Sequence, residues 1–313
     1  MLEPGDWSEL APLLLARARA TPLPSLGRQR RAGEAPSRWQ GRGQDYAQSR
    51  AYQPGDDMRS MHWALLARTG KPYVRVHEQE QALAWHVLID AHGSMLFGTR
   101  RRTKAAQAAR AALVGAAWHV ARWPQARLDA SLWTAGGLQT RSFGVGLPAL
   151  RRMAAWLAGQ RIEPPSAPAA TSAHALATEP DSAAFGDWSA ALLRSHAAPT
   201  QLLLCSDGHG LDASASAQLA AWAGRARVAV VEVFDPVESA LPELPPARLQ
   251  DAAARAIGWL AAGNTVREAF GREARLRREG LHQSLRALRI ATCRLCTTES
   301  GPRMQATLSE LCA

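Results

Sequence analysis

The run Trp85-His86-Val87-Leu88-Ile89-Asp90 constrains the fold more than any other part of the chain. It is short, almost wholly apolar and ends in a carboxylate. A run of this kind is a strand buried on both faces, because a half-exposed strand would alternate apolar with polar residues. Gly93-Ser94 then supply a loop, and residues 104–122 read as a helix. In that helix Ala105, Ala109, Leu113, Ala116, Ala117 and Val120 recur at spacings near three and four, a narrow face of small residues that lets a helix lie close on a sheet. The result is a β-loop-α unit.

The pattern continues. Residues 127–133, 201–206 and 227–234 read as strands, and 147–157, 188–193 and 213–223 as helices. Strands alternating with helices imply an α/β chain: a doubly wound, mostly parallel sheet with helices on both faces. Asn264 is the expected N-cap of a long helix running to about Leu288, followed by a last strand at 290–297. Residues 164–180, rich in Pro, Ala, Ser and Thr, read as an inserted loop. Ahead of the sheet, Pro54-Gly55-Asp56-Asp57 is a turn signal, and Tyr73-Val74-Arg75-Val76-His77 alternates as a short strand does. The expected organisation is an irregular N-terminal region over 1–45, an extended β segment over 46–82, and the α/β domain over 83–300 with its inserted loop over 160–186. Residues 301–313 read as a C-terminal tail.

With 313 residues, 47% of them hydrophobic, the chain can bury a core without staples. Cys205, Cys293, Cys296 and Cys312 are too few and too unevenly spread for a disulfide framework, so a cytoplasmic, reducing setting is expected. Cys293 and Cys296 have the spacing of half a zinc site, but within a strand they face opposite ways and read as structural. No secretory leader and no membrane span is expected. The net charge of +10 raises nucleic-acid binding, yet Lys71 and Lys104 are the sole lysines and the arginines are scattered rather than gathered on one face; no nucleic-acid partner is expected. Gly41-Arg42-Gly43 lacks the strand and the third glycine of a dinucleotide fingerprint.

In an open parallel sheet, ligands bind beyond the carboxyl ends of the strands, which places Asp90 and Asp207 at the candidate site. With the Ser94 hydroxyl they form an oxygen donor set suited to Mg²⁺; the alternative is that both aspartates cap loops and helices.

Here the sequence resembles known proteins. Asp90-Ala91-His92-Gly93-Ser94-Met95 is similar to the Asp-x-Ser-x-Ser metal-ion-dependent adhesion site of von Willebrand factor A domains, and Ser206-Asp207-Gly208 to its third loop. Arg50-Ala51-Tyr52-Gln53-Pro54-Gly55-Asp56-Asp57-Met58-Arg59, then His62-Trp63, Ala67-Arg68, Asp235-Pro236, Glu238 and Leu241-Pro242, resemble the bacterial domain of unknown function 58 family. The resemblance implies a von Willebrand factor A-like fold, and a non-enzymatic interaction module that partners a MoxR-type AAA+ ATPase or its client during assembly or maturation of other proteins. It also implies a threonine ligand, for which Thr171 and Thr178 compete. His92 stands where the pattern has serine, and imidazole is a poor Mg²⁺ ligand, so a degenerate site with weak or no Mg²⁺ binding is expected and no other cofactor.

The family-motif residues Tyr52, Gly55, Asp56, Asp57, Arg59, His62, Trp63 and Arg68 read as a structural segment anchored by Trp63, with Arg59 or Arg68 neutralising Asp56 or Asp57. The competing function is a metal-dependent hydrolase using Asp90, His92 and Asp207, with His209 as a further ligand.

Overall fold

Alternation inside the buried strands decides the layering. In the computed structural model, Val87 and Ile89 of β3 (Ala84–Asp90) face one core while Leu88 faces the other; Leu203 and Cys205 of β6 (Gln201–Ser206) join the first, Leu202 and Leu204 the second. Strands lined with apolar residues on both faces need helices on both faces. The structure describes residues 2, 6, 9–12, 40–54, 57–78, 83–134, 137–161, 182–194, 199–209, 211, 213–243, 245, 247–250, 256–260 and 263–312. Gly55, Asp56, Thr171 and Thr178, and most of the regions expected to be an irregular N-terminus and an inserted loop, lie outside them.

The main sheet has the order β10-β7-β6-β3-β4-β5. Beside β3 and β6 it contains β4 (Arg127–Thr134), β5 (Gly137–Val145), β7 (Arg227–Phe234) and β10 (Ala291–Cys296). All neighbours pair in parallel except β4 and β5. The mostly parallel α/β architecture expected from sequence is therefore present, with an antiparallel edge that was not anticipated. That edge strand, Leu138-Gln139-Thr140-Arg141-Ser142, is largely exposed and carries no apolar run, so its pairing is fixed by the reversal at Gly137 (φ 109°) and not by hydrophobic pattern.

One face is covered by α2 (Lys104–Arg122), α3 (Gly146–Gly159) and α8 (Gly301–Cys312), the other by α4 (Ser182–Arg194), α5 (Ala213–Ala223) and the end of α7 (Asn264–Ala287). The small-residue face of α2 does what its spacing predicted. A Cβ on Gly115 would come within 3.0 Å of Leu203 and 3.2 Å of Trp85, so the helix lies almost in contact with the sheet.

Three expectations need correction. Residues 301–313 are not a tail: α8 buries Met304, Leu308 and Leu311 against α2. Their four- and three-residue spacing is helical, and Pro302 is compatible with a helix start. The long helix is capped by Gly263, at φ 147°, with Asn264 as its first helical residue. An antiparallel pair, β8 (Ala247–Gln250) and β9 (Ala256–Leu260), precedes that helix and was not expected. Among the described residues no disulfide joins Cys205, Cys293 or Cys296, and no helix is long and apolar enough to cross a membrane.

The chain divides into two compact units, Ser25–Leu83 and the remainder. The smaller unit pairs β1 (Gln40–Ala51) antiparallel with β2 (Tyr73–Glu78), so strand structure begins within the stretch expected to be irregular. Between them come a 3₁₀ turn, Met58–Ser60, and α1 (Trp63–Thr69). α6 (Pro236–Ser239) is a single turn after β7 in the larger unit.

Candidate functional site

Asp90 ends β3 and Asp207 follows β6, and these two strands are hydrogen-bonded neighbours. The chain proceeds from β3 to β4 on one side and from β6 to β7 and β10 on the other, so the two aspartates sit at the switch point where open α/β sheets form a crevice.

Asp90 is buried and both oxygens are engaged. Oδ1 accepts from His92 Nδ1 at 2.8 Å and from the His92 backbone N–H at 3.1 Å; Oδ2 accepts from Ser206 Oγ at 2.6 Å. Ser206 Oγ accepts in turn from the Gly208 N–H at 3.0 Å. Gly208 is at φ 79°, and a Cβ there would lie 2.5 Å from a Leu281 methyl carbon, so this turn requires glycine. The His92 ring stands edge-on to Trp133, centroids 4.5 Å apart, and its Nε2 is buried with no hydrogen-bond partner among the described residues. Ser94 lies in the 3₁₀ turn Gly93–Leu96. Asp90 takes the Ser206 hydroxyl as its partner, in place of the Ser94 hydroxyl that the motif suggested.

Asp207 meets a cation that the sequence reading did not place there. Lys104, the first residue of α2, is 1% exposed, and its Nζ donates to Asp207 Oδ2 at 2.7 Å and to the Glu238 carboxylate. Burial alone would lower the lysine pKa and raise that of the aspartate. The ion pairs prevail, holding Lys104 above its ordinary value and Asp207 below.

This donor set does not fit Mg²⁺. The ion demands near-octahedral oxygens. Here the Asp90 oxygens point to His92 and Ser206, and an ion at Asp207 would face an ammonium within a few ångströms, a repulsion of several kcal/mol at roughly ε 20. Asp207, His209 and Glu238 bring one ligand atom each within 4.8 Å of one another, but Lys104 already bridges two of the three.

Glu238 ties the site to the next corner. Its second oxygen accepts from the Asp235 N–H at 2.9 Å, closing a capping box on α6. Asp235, fully buried, accepts from Thr99 Oγ1 (2.6 Å), the Thr99 N–H (3.0 Å), Thr297 Oγ1 (2.8 Å) and the Val237 N–H (3.1 Å). Burial would raise its pKa, but these donors, Thr99 foremost, hold it below the ordinary value. The Asp-Pro-x-Glu motif is thus a junction joining the loops after β3, β7 and β10. Asp235→Ala is expected to cost about 2 kcal/mol, from the lost cap and the stranded donors, with Asp235→Asn costing less. Urea unfolding with an unchanged slope would register this as a lower midpoint.

A cavity of about 350 Å³ opens beside Asp207 and His209, bounded by β7 and α7. Its acid Glu232 is also held internally, by hydrogen bonds from His282 Nε2 at 2.6 Å and Arg294 Nε at 3.2 Å, and Arg277 donates to His209 Nδ1 at 2.6 Å.

In the smaller unit, two polar residues of the family-like motif, Asp57 and His62, are caps. Asp57 accepts from the Arg59 N–H at 2.9 Å at the start of the 3₁₀ turn, and His62 Nδ1 accepts from the Leu65 N–H at 3.2 Å at the start of α1. The backbone N–H groups of Tyr52 and His62 bond Pro72 and Tyr73 carbonyls, closing the segment on β2. The expected anchoring by Trp63 is corrected: this side chain is 58% exposed, as is Met58 at 54%, and the buried residues of the segment are Met61 and Val74. Arg59 and Arg68 are exposed.

Residues 48–280 match the family model described as protein of unknown function DUF58. The chain belongs to the DUF58 family. Uncharacterized proteins of Mycobacterium bovis and Mycobacterium tuberculosis are each 28% identical to this DUF58 chain over 253 residues, covering 79% of it and 72% of the relative. Among solved structures, a conserved hypothetical protein BatB from Bacteroides thetaiotaomicron aligns with a TM-score of 0.40 at 11% identity, over 73% of this chain and 97% of its own.

Lys104 and Thr99 were missed as members of this site, and Ser206 was read only as part of the third-loop resemblance. Lys104 left one signal, a lysine at the head of an otherwise small and apolar helix in a chain with two lysines, but its partners lie 103 and 134 residues away.

Proposed function

We propose that this DUF58 protein is a non-enzymatic interaction module with a von Willebrand factor A-like main domain, acting in the cytoplasm, whose loop face at the carboxyl edge of the sheet docks a MoxR-type AAA+ ATPase or its client. The observation that carries the reading is the Lys104–Asp207 ion pair at the switch point. It occupies the acid that a metal-dependent hydrolase would need, while Asp90 and His92, the other two residues of that hydrolase, bond to each other. Ser206 and Cys205 are buried, so neither hydroxyl nor thiol is presented as a nucleophile. A surface whose carboxylates are held by internal partners suits a docking role, since those contacts fix loop shape. The ATPase as partner follows from the family resemblance.

The test is a pull-down of the purified chain against the MoxR-type ATPase of the same organism, with Mg²⁺ and with a chelator. Binding in both conditions is expected. Absence of binding in both would sink the reading, and metal-dependent turnover of a generic phosphodiester substrate, lost in Asp207→Asn, would favour the hydrolase.

A further inference from the structure

We propose that the Lys104 ammonium is a tethered stand-in for a divalent cation, holding the loops at the carboxyl edge of the sheet in an ion-bound arrangement with no metal. Nothing local asks for lysine at this position. It is the first residue of a 19-residue helix, where the positive end of the helix dipole disfavours a cation, and it is 1% exposed, where burial disfavours any charge. What compensates both costs lies far away in sequence: Asp207 in the loop after β6 and Glu238 in α6.

The geometry around the ammonium is that of a cation site. Asp207, His209 and Glu238 each offer a ligand atom, all within 4.8 Å of one another, from two loops that a common cation would cross-link. Lys104 is that cross-link. One ammonium covers two carboxylates incompletely, whereas a divalent ion would match them, so the ammonium satisfies the geometry and leaves a charge deficit of one. Removing it frees one oxygen of the buried Asp207 carboxylate and one of the half-buried Glu238, beside the exposed His209 imidazole, whose Nδ1 accepts from Arg277. That mixed set is better suited to Mn²⁺ than to Mg²⁺, which takes oxygen almost exclusively. The wild-type chain therefore trades ion dependence for permanence: its loop face stays in one arrangement whatever the divalent-ion concentration. The inference concerns the same face as the proposed docking surface but needs no partner, so a failed pull-down leaves it standing and its own failure leaves the docking reading standing.

The experiment compares the full chain with Lys104→Ala and Lys104→Gln by thermal melting and calorimetric titration, using Mn²⁺ alone as probe and a chelator as control. The parent chain should melt at one temperature in both conditions. Lys104→Ala should melt lower in chelator, recover saturably with Mn²⁺, and bind it at least about tenfold more tightly than the parent. Lys104→Gln, which keeps a hydrogen-bond donor and serves if the alanine variant fails to fold in both conditions, should show the same gain. Adding Asp207→Asn to either variant should abolish it. The proposal is overturned if the parent binds Mn²⁺ as tightly as the variants, if neither variant gains a Mn²⁺ response, or if the gain survives Asp207→Asn.

Discussion

Replacing Asp6 by alanine is expected to destabilise the main unit by roughly 3–5 kcal/mol, the usual cost of stranding one member of a buried ion pair. Arg110, in the middle of α2, has no exposed surface; its Nη1 donates to Asp6 Oδ1 at 2.6 Å and its Nη2 lies 3.0 Å from Glu9 Oε2. Arg102 approaches the same two acids at 3.5 and 3.6 Å. A guanidinium cannot shed its proton to escape burial, so losing Asp6 leaves a desolvated charge with only part of its compensation. Leu10, fully buried in the same core, fixes these acids over the helix. Chemical denaturation should show a lower midpoint with an unchanged slope, and Asp6→Ala combined with Arg110→Met should recover much of the loss. A cost below about 1 kcal/mol would mean that the N-terminal residues are not docked on α2 in solution.

The same contrast separates what was legible in the sequence from what was not. β3, β6 and β7 could be read because strands buried on both faces leave nearly continuous apolar runs, β4 because Leu128, Ala130 and Leu132 alternate with polar residues, and α2 because its small residues repeat at helical spacing. β5 and the β8–β9 pair carry no such signature, since an edge strand is held by its backbone partner. The positions of Asp90 and Asp207 at neighbouring strand ends followed from the α/β pattern. Their chemistry did not. Whether a strand-end carboxylate faces a metal, a hydroxyl or an ammonium depends on residues about a hundred positions away: Ser206 for Asp90 and Lys104 for Asp207. The motif around Asp57 and His62 was visible as a pattern, and these two residues proved to be caps, while the exposure of Trp63 reversed the expectation that an aromatic in a motif is an anchor.

The second large effect is on pH dependence, and it comes from histidines away from the candidate site. His86, in β3, bonds Ser131 Oγ through Nε2 at 2.8 Å, and His119, in α2, stacks on Trp85 with centroids 5.9 Å apart. Burial pushes each imidazole down to about 4 from 6.5, at His86 against the opposing pull of Asp129 and with a smaller push from Arg127. Between these values the unfolded chain binds protons that the native state refuses. Stability is therefore complete above pH 6.5, falls as pH drops towards 4, and by linkage loses up to roughly 3 kcal/mol per histidine. Asp207 and Asp235, whose pKa values are lowered in the fold, act in a separate window: their contribution is present above the unfolded aspartate value and disappears as pH falls through their native values. Unfolding free energies measured between pH 7 and 4 should thus decline steadily, with His209, also lowered by burial, adding to the fall, and His119→Leu should make the decline clearly shallower. An unchanged slope in the variant would show that His119 takes up its proton as readily in the native state as in the unfolded one, and that α2 does not seal it from water.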